Sequence, residues 1–453
     1  MTKIYCARWV LPVTSEPIRD GAVAVEGTRV AALGPRIEVL ERFPSAEVLE
    51  LSEAVVMPGF VNCHTHLELT AMRNFLEPEE GDFFAWLRKV TVSRNGRMSP
   101  EDLYVSAAWG AVEAARAGIT CVGDASDAGA TTMRALRDAG LRGIVYQEAF
   151  GPDAREAAAK FDAARAKIEL LRAGETALVT LGLSPHSPYA VAPPLLEMLA
   201  RYAIEERLPL MLHTAESEAE QALMLEGGGI FAAGYALRGF TFDSPRTTTV
   251  RHFANTGVLD ARPLLAHCVR VDEGDISLMK KHGAGVAHCP KSNAKLGHGR
   301  APLGAMLGAG VNVGLGSDSV ASNNVCDVLE EARFALLASR AAFETVEGGR
   351  TLDAHDALRL LTHGGASAMN MQSVMGSLAE GLEADLVAVR LNAAHQTPAY
   401  DSAAALVFSS SGRDVLLTVV AGREVFRDGR VTTLDEEDLR ARLLDTARRL
   451  DGV

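Results

Sequence analysis

Short apolar runs rich in β-branched residues alternate with longer stretches of helical spacing through the middle of the chain. Such runs predict buried strands, and the longer stretches, among them residues 107–117, 153–171 and 193–205, predict helices. Alternation of strand and helix predicts a parallel sheet, and eight repeats predict a (β/α)8 TIM barrel. The strand candidates are residues 55–63, 119–123, 142–147, 179–183, 208–212, 263–266, 284–287 and 311–316.

The two ends of the chain have a different pattern, in which short apolar strands are separated by tight turns. We expect residues 1–57 and 371–453 to form one composite domain, a small β-sandwich, around a catalytic barrel at residues 58–370. A helix closes the chain, because apolar residues recur there with helical spacing. Thr433 to Glu436 resembles the capping box at its start.

The composition fits a globular protein with a large core, since 48% of the 453 residues are hydrophobic and 23% are charged. The formal net charge of −13 argues against nucleic acid or an anionic membrane as the main partner. The six cysteines form no Cys-x-x-Cys pair, the N-terminus lacks a signal-peptide pattern, and no apolar stretch could span a bilayer. We therefore expect a cytoplasmic protein, and the sequence leaves a homodimer open.

Chemically active side chains directly follow most of the predicted strands. His64 and His66 end the first strand, where residues i and i+2 share a face, so their imidazoles can aim at one point. A lone His-x-His is more often structural than a metal site, but later strands add His186, His213 with Glu216, His267, His288 and Asp318. Because barrel active sites lie at the carboxyl ends of the strands, we expect these residues to meet at one mouth. This placement argues against an open, doubly wound sheet.

These motifs resemble the amidohydrolase superfamily, and within it the mononuclear branch of aminohydrolases and chlorohydrolases acting on purines, pyrimidines and triazines. The matching segments are Pro58-Gly-Phe-Val-Asn62 ahead of the paired histidines, His213-Thr-Ala-Glu216, His288-Cys-Pro-Lys-Ser-Asn293, Gly316-Ser-Asp318 and Gly376-Ser-Leu-Ala-Glu-Gly381. The resemblance implies one metal ion, because no lysine ends the fourth strand, where binuclear relatives carry a bridging carbamate.

By that resemblance, the ligands of one divalent metal ion are His64, His66, His213 and Asp318. Three neutral imidazoles and a carboxylate suit zinc best, with iron or manganese also compatible, and leave a position open for water. The resemblance implies that Asp318 takes the proton of that water and that Glu216 carries it to a ring nitrogen of the substrate. His267 would hold the developing tetrahedral centre. Taken alone, Glu216 is also an ordinary carboxylate at a helix N-terminus.

Four further residues are predicted to contact the substrate: Glu68, Trp86, Glu148 and His186. On a strand pattern Glu68 shares a face with His66. It can form a hydrogen bond with the base or sugar of the substrate, or it can support a metal ligand. Trp86 lies in an aromatic cluster that is either packing or a wall over the ligand. His288 suits a structural role as well as a functional one. Six histidines carry no motif and are expected at the surface or in packing: His252, His282, His298, His355, His363 and His395.

Three segments around these residues are similar to the aminodeoxyfutalosine deaminases of menaquinone biosynthesis: Gly81-Asp-Phe-Phe-Ala-Trp86, Tyr146-Gln-Glu148 and Pro185-His-Ser-Pro-Tyr189. The resemblance implies removal of ammonia from an adenine-bearing nucleoside. Deamination of adenosine, S-adenosylhomocysteine or guanine and dechlorination of a triazine are alternatives on the same fold. A non-catalytic scaffold is a further alternative, although such relatives typically lose metal ligands. The long, Gly-rich connection between Glu216 and His267 is typical of a lid.

Overall fold

The computed structural model describes residues 2–452 and contains a barrel of parallel strands beside a second, mixed sheet. In chain order the strands are β1 (Thr2–Val10), β2 (Ile18–Glu26), β3 (Arg29–Pro35), β4 (Glu47–Glu50), β5 (Ala54–Pro58), β6 (Phe60–Thr65), β7 (Ile119–Ser126), β8 (Arg142–Ala149), β9 (Val179–Pro185), β10 (Met211–Thr214), β11 (Leu264–His267), β12 (Gly285–His288), β13 (Asn312–Leu315), β14 (Leu386–Arg390), β15 (Val415–Val420), β16 (Arg423–Arg427) and β17 (Arg430–Val431).

Helices connect these strands and cover the outside of the barrel. In chain order the α-helices are α1 (Arg36–Arg42), α2 (Phe83–Arg97), α3 (Pro100–Arg116), α4 (Gly129–Ala139), α5 (Ala157–Leu171), α6 (Pro193–Glu206), α7 (Glu218–Glu226), α8 (Gly229–Leu237), α9 (Thr249–Asn255), α10 (Glu273–His282), α11 (Pro290–Lys295), α12 (Leu303–Gly308), α13 (Val320–Asn323), α14 (Val328–Ala341), α15 (Ala354–Arg359), α16 (Gly365–Ala368), α17 (Ser402–Ala404) and α18 (Glu436–Asp451). A 3₁₀ helix at Leu67–Met72 directly follows β6 and His66.

Strands β6 to β13 form a closed barrel. They make two four-stranded parallel sheets, β6-β7-β8-β9 and β10-β11-β12-β13. A parallel bridge between Leu183 and Leu210 joins the sheets at one edge, and a second between Thr65 and Asp318 joins them at the other. At least one helix follows each strand, so the predicted (β/α)8 barrel is confirmed.

The predicted extent of the first barrel strand is wrong, because residues 55–63 belong to two strands. Strand β5 pairs with β1 and β14 in the mixed sheet, whereas β6 pairs with β7 in the barrel. The chain changes sheet at Gly59, where a Cβ atom would lie 2.2 Å from Cγ2 of Thr120. Hydrophobicity does not reveal this break, because both strands are fully buried.

Both ends of the chain contribute strands to the mixed sheet, as expected for a composite β domain. The sheet has nine strands in the order β17-β16-β15-β14-β5-β1-β2-β3, with β4 pairing on β1. The antiparallel pair of β5 and β14 joins the N-terminal strands to the C-terminal ones. The domain boundaries at residues 57 and 370 stay a prediction.

The predicted cap of the C-terminal helix is wrong by two residues. The Asp435 carboxylate accepts hydrogen bonds from the backbone N–H groups of Glu437 and Asp438, which makes Asp435 the N-cap of α18. The Thr433 hydroxyl donates instead to the carbonyl of Ala139 at 2.8 Å. Both residue types can cap a helix, and the contact of Thr433 with α4 decides between them.

Two further observations bear on the expectations from composition. All six cysteines are free and buried, an environment in which cysteine acts as a small apolar side chain. Within residues 2–452, no helix has both the length and the apolar character that crossing a bilayer requires.

A buried ion pair links the barrel to the mixed sheet. The Arg142 guanidinium, on β8, donates to both carboxylate oxygens of Asp385 at 2.7 and 3.2 Å. The two side chains are 5% and 1% exposed. The backbone N–H of Ala421 adds a third hydrogen bond to Asp385 at 2.7 Å. Removing one partner would therefore leave a buried charge with incomplete compensation.

We expect Asp385→Asn to destabilise the protein by about 3 kcal/mol, near the lower end of the range for broken buried ion pairs, because Glu383 still faces Arg142 at 3.3 Å. The measurement is the midpoint of thermal unfolding. The control is Glu380→Gln, which removes a surface pair with Arg42 and should cost about 1 kcal/mol or less. An Asp385→Asn protein with the same midpoint of thermal unfolding as the wild type would contradict the prediction.

Candidate active site

The carboxyl ends of the barrel strands bring the four predicted metal ligands together. His64 lies on β6, His66 directly after it, and His213 on β10. Asp318 follows β13, and its backbone N–H donates to the carbonyl of His64 at 2.9 Å. The last strand therefore places its carboxylate beside the histidines of the first.

The side-chain atoms of these residues converge on one point. His66 Nε2 lies 3.2 Å from His213 Nε2. Asp318 Oδ1 lies 3.4 Å from His64 Nε2 and 3.6 Å from His66 Nε2. Donor atoms of a single metal ion are separated by distances of this order, because each sits about 2 Å from the ion.

Hydrogen bonding leaves lone pairs facing this point. His213 Nδ1 donates to the carbonyl oxygen of His186 at 3.0 Å, so His213 Nε2 carries no proton. Burial lowers the pKa of His66 to about 3 and the pKa of His213 well below its ordinary value, so both imidazoles are neutral. Among the described residues, buried His64 Nε2 has no hydrogen-bond partner. Three imidazoles and a carboxylate in this arrangement fit one divalent cation.

The Asp318 carboxylate is oriented from behind by hydroxyl groups. Ser292 and Ser322 donate to its Oδ2 at 2.6 and 3.0 Å, and the backbone N–H of Ser319 donates to its Oδ1 at 2.7 Å. Burial alone would raise the pKa of Asp318, but the facing histidines, His64 first, hold it well below its ordinary value. The carboxylate is therefore ionised, as a metal ligand has to be.

Glu216 and His267 lie next to the ligand cluster. His267 Nδ1 donates to Asn293 Oδ1 at 2.9 Å, and His267 Nε2 lies 3.7 Å from Glu216 Oε1. Burial alone would lower the pKa of His267, but Glu216 and Asp318 outweigh it and the pKa is raised. Burial likewise opposes ionisation of Glu216, yet His267 and a second histidine lower its pKa. The site therefore holds an ionised carboxylate against imidazole groups, which suits proton transfer.

That second histidine is His298, which the sequence assigned to surface or packing. It is buried, and its Nε2 lies 3.5 Å from Glu216 Oε1. No strand-end rule could have found it, because it follows α11 rather than a barrel strand. Its signal in the sequence is only its closeness to the motif that ends at Asn293.

A cavity of about 570 Å³ opens above the cluster. The predicted ligands His66, His213 and Asp318 line it, whereas His64 is fully buried. This volume lies in the range of small-molecule sites. Aromatic side chains form much of its wall: Phe83, Phe84, Trp86, Phe150, Tyr189, Phe231 and Tyr235. A larger cleft of about 1160 Å³ lies between the barrel and the mixed sheet, lined by residues such as Glu113, Arg116 and Arg390, but none of the convergent histidines reaches it. The smaller cavity is therefore the candidate active site.

Three of the residues predicted to contact the substrate, Trp86, Glu148 and His186, line this cavity, and their contact with a substrate stays a prediction. Trp86 stands on α2, and its ring is stacked with Phe83. His186 stacks on His213, and its Nε2 lies 3.7 Å from Glu148 Oε1. Burial, together with Glu68, raises the pKa of Glu148 well above its ordinary value, and within residues 2–452 Glu148 Oε1 has no hydrogen-bond partner. The Glu148 carboxyl group faces the cavity.

The strand pattern assumed for Glu68 is wrong, because Glu68 lies in the 3₁₀ helix after β6. Its Oε1 accepts a hydrogen bond from Arg94 Nε at 2.5 Å. Its Oε2 accepts from the Ser126 hydroxyl and from the backbone N–H of Ala128. The Glu68 carboxylate is thus largely occupied within the protein. Arg94, which the sequence did not single out, lines the cavity beside it.

The connection from Glu216 to His267 contributes helices rather than an open loop. Helices α7, α8 and α9 lie in it. Phe231, on α8, stacks face to face on Tyr189 with ring centroids 4.3 Å apart. Tyr235, on the same helix, donates its hydroxyl to the carbonyl of Tyr189. Helix α8 therefore closes one side of the cavity, in the position expected of a lid.

His288 does not line the candidate active site. It is buried at the end of β12 and borders a separate cavity of about 310 Å³ with Arg300 and Glu344. Two of the histidines without a motif are His252 and His282. His252 is buried, and His282 pairs with Asp260 near the surface. Both positions match the expected packing and surface roles.

Comparison with known proteins identifies relatives over the whole length of the chain. The model of the amidohydrolase family matches residues 55–425. A protein of Pelotomaculum thermopropionicum named 5-methylthioadenosine/S-adenosylhomocysteine deaminase is 33% identical over 436 residues, which cover 95% of this chain and 94% of that protein. A protein of Nitratidesulfovibrio vulgaris with the same name is 33% identical over 427 residues, covering 93% and 90%.

Solved structures with the same fold carry zinc. An adenosine deaminase from Xanthomonas campestris with bound zinc has a TM-score of 0.87 at 26% identity, covering 100% of this chain and 99% of that one. An atrazine chlorohydrolase from Arthrobacter aurescens, complexed with zinc, has a TM-score of 0.85 at 23% identity, covering 98% and 100%. At 23% identity, the likeness of the chlorohydrolase to this chain shows the fold alone.

We expect one tightly held divalent metal ion per chain, because three imidazoles and one carboxylate converge on a single point. Elemental analysis of protein purified without added metal measures the stoichiometry. His213→Ala should lose most of the metal, whereas His282→Ala, which changes a histidine paired near the surface, should keep it. Chelation should lower the thermal midpoint, since the ion binds only the folded chain. Two ions per chain in repeated preparations, or full activity without any, would refute a single catalytic ion.

Proposed function

The chain belongs to the amidohydrolase family, and from this we propose that it is a metal-dependent hydrolytic deaminase of an adenine-type nucleoside. The observation that carries the proposal is the position of Glu216, which lines the base of an aromatic cavity and lies beside His267 and the converged ligands. Deamination needs an activated water, a group that protonates the ring, and a wall that holds a flat heterocycle. Residues suited to each of these tasks lie within this one cavity.

The relatives support the same reaction class. Two proteins that align over nine tenths of this chain or more are named as deaminases of adenine nucleosides with a 5′ substituent. The zinc-containing adenosine deaminase shares the fold over the full length. The reaction adds water to the ring carbon that bears the amino group, releases ammonia, and converts the adenine ring to hypoxanthine.

We propose that His64, His66, His213 and Asp318 hold the metal ion. When bound, a divalent ion such as Zn²⁺ lowers the pKa of a coordinated water from about 15.7 toward about 7. Asp318 accepts the proton of the attacking water at Oδ1, the oxygen that faces the histidines. Its Oδ2 stays bonded to two serine hydroxyls, which hold the carboxylate in place.

Glu216 and His267 act on the substrate side of the reaction. The ionised Glu216 carboxylate receives the water's proton from Asp318 and passes it to the ring nitrogen next to the reacting carbon, which makes that carbon electrophilic. His267 Nε2 faces the same region and stabilises the oxygen that adds to the ring. Asn293 fixes the tautomer of His267 by accepting from Nδ1. As the ring collapses to the hypoxanthine form, the proton of the added hydroxyl is transferred to the amino group, the C–N bond breaks, and ammonia leaves.

For the substrate itself we propose aminodeoxyfutalosine, an intermediate of menaquinone biosynthesis. Support comes from the three segments similar to its deaminases, whose residues Trp86, Glu148 and His186 all line the cavity. The Glu148 carboxyl group faces the cavity and can form a hydrogen bond with a sugar hydroxyl. The aromatic wall continues through Phe84 to Phe231 on α8, which leaves room for a bulky group beyond the ribose.

We expect Glu216→Gln to keep the metal ion and to lose about 10²–10⁴-fold in kcat, because glutamine is nearly isosteric but cannot transfer a proton. Metal content and steady-state ammonia release are measured on the same preparation. Glu218→Gln is the matched control, since that side chain is 86% exposed on the next helix and should have normal activity. A metal-replete Glu216→Gln enzyme with nearly normal kcat would rule out the assigned role.

We expect kcat/KM for aminodeoxyfutalosine to exceed that for 5′-methylthioadenosine, S-adenosylhomocysteine, adenosine and guanine by about 10²-fold or more, since buried polar groups reject ligands that leave them unpaired. Side-by-side ammonia release is the measurement, with chloride release from a chlorinated triazine as a second channel. If 5′-methylthioadenosine or S-adenosylhomocysteine is the best substrate, the substrate is misassigned but the deaminase stands. Chloride release without any ammonia release would contradict the deaminase itself.

A further inference from the structure

His298 contacts the proposed acid–base carboxylate from outside every motif of the site. Its side chain is 6% exposed, and its Nε2 lies 3.5 Å from Glu216 Oε1. Within the described residues this buried nitrogen has no hydrogen-bond partner, and the carboxylate of Glu216 is the polar group that it faces. A buried imidazole nitrogen aimed at a buried carboxylate is a costly arrangement unless the two groups interact.

Two histidines from different segments approach the same oxygen of Glu216. His267 Nε2 lies 3.7 Å from Oε1 and His298 Nε2 lies 3.5 Å from it. Asn293 holds both of them, because its Oδ1 accepts from His267 Nδ1 and its backbone carbonyl accepts from the N–H of His298. His267 also touches the ligand cluster, with its ring 5.4 Å from that of His213. His298 is therefore the neighbour of Glu216 that is free of the metal site.

We propose that His298 is a positioning residue, which donates a hydrogen bond from Nε2 to Glu216 and holds that carboxylate in line for proton transfer to the substrate. The proposal rests on the deaminase function proposed above. Without this donor, Glu216 Oε1 would keep only its contact with His267, whose Nε2 also has to face the reacting oxygen. The position of the acid–base group would then be less well defined, and misplacement by about 1 Å can cost about 10²-fold in rate.

The mouth of the cavity contacts His298 through Phe83. The Phe83 ring meets the imidazole edge to face, with centroids 4.6 Å apart and planes at 89°. Phe83 is in turn stacked with Trp86 at 6.1 Å, and both stand on α2 in the cavity wall. A substrate ring held against this wall would also restrain His298. Substrate binding and the orientation of Glu216 are thereby linked through three adjacent rings.

Two substitutions separate the hydrogen bond from the packing. His298→Phe keeps a planar ring against Phe83 but removes the donor, whereas His298→Gln keeps an N–H donor at a similar reach. We expect His298→Phe to lower kcat by about 10- to 100-fold with little change in KM, and His298→Gln to recover most of this loss.

In a Glu216→Gln background, His298→Phe should lower kcat no further, because the oriented carboxylate is already absent. Metal content and thermal midpoint are measured for every variant.

Crystal structures of the wild type and both variants provide a readout that needs no activity. We expect the Glu216 carboxylate to move away from its position in His298→Phe and to return to it in His298→Gln. The proposal is overturned if Glu216 stays in place in His298→Phe, if both variants lose the same activity, or if the loss persists in the Glu216→Gln background. A wild type that deaminates none of the nucleosides refutes the proposed function, and the position of Glu216 still decides the role of His298.

Discussion

The closure of the barrel between β13 and β6 is the constraint on which the site depends. A parallel bridge pairs Thr65 with Asp318, and the Asp318 N–H donates to the carbonyl of His64. These bonds set a carboxylate from the end of the barrel beside two imidazoles from its beginning. If the sheet stayed open at this edge, the remaining strands could still present His213 and His267, but the fourth ligand would lie elsewhere.

The site concentrates polar groups and backbone strain where the fold is otherwise apolar. His267 and Asp318 have φ angles of +73° and +56°, in the left-handed region that non-glycine residues rarely adopt. Such conformations cost about 1–3 kcal/mol each and persist where the surroundings enforce them. Strand pairing and side-chain hydrogen bonds enforce them here, through Asn293 for His267 and Ser292 for Asp318. Other non-glycine residues of the chain also have positive φ angles, but at these two positions the strained backbone carries side chains of the candidate site.

Chemistry and recognition come from different parts of the molecule. Strand ends supply the proposed metal ligands and Glu216, and their relative positions follow from the barrel. Helices α2 and α8, which lie between barrel strands, supply most of the aromatic wall. A change in these helices can alter the substrate while the reaction is retained. His298 belongs to neither group, since it touches both Glu216 and the wall residue Phe83.

The sequence by itself determined the barrel and the polar residues at its strand ends, because strand–helix alternation and residue type are local properties. It could not determine that residues 55–63 form two strands, since both are buried and the break depends on Gly59 meeting Thr120. Nor could it show that Arg94 donates a hydrogen bond to Glu68, or that His298 lies against Glu216. These contacts join segments whose approach is decided by packing. The period of the hydrophobic pattern indicates which face of a helix or strand is buried, but only the tertiary structure decides which buried groups contact each other.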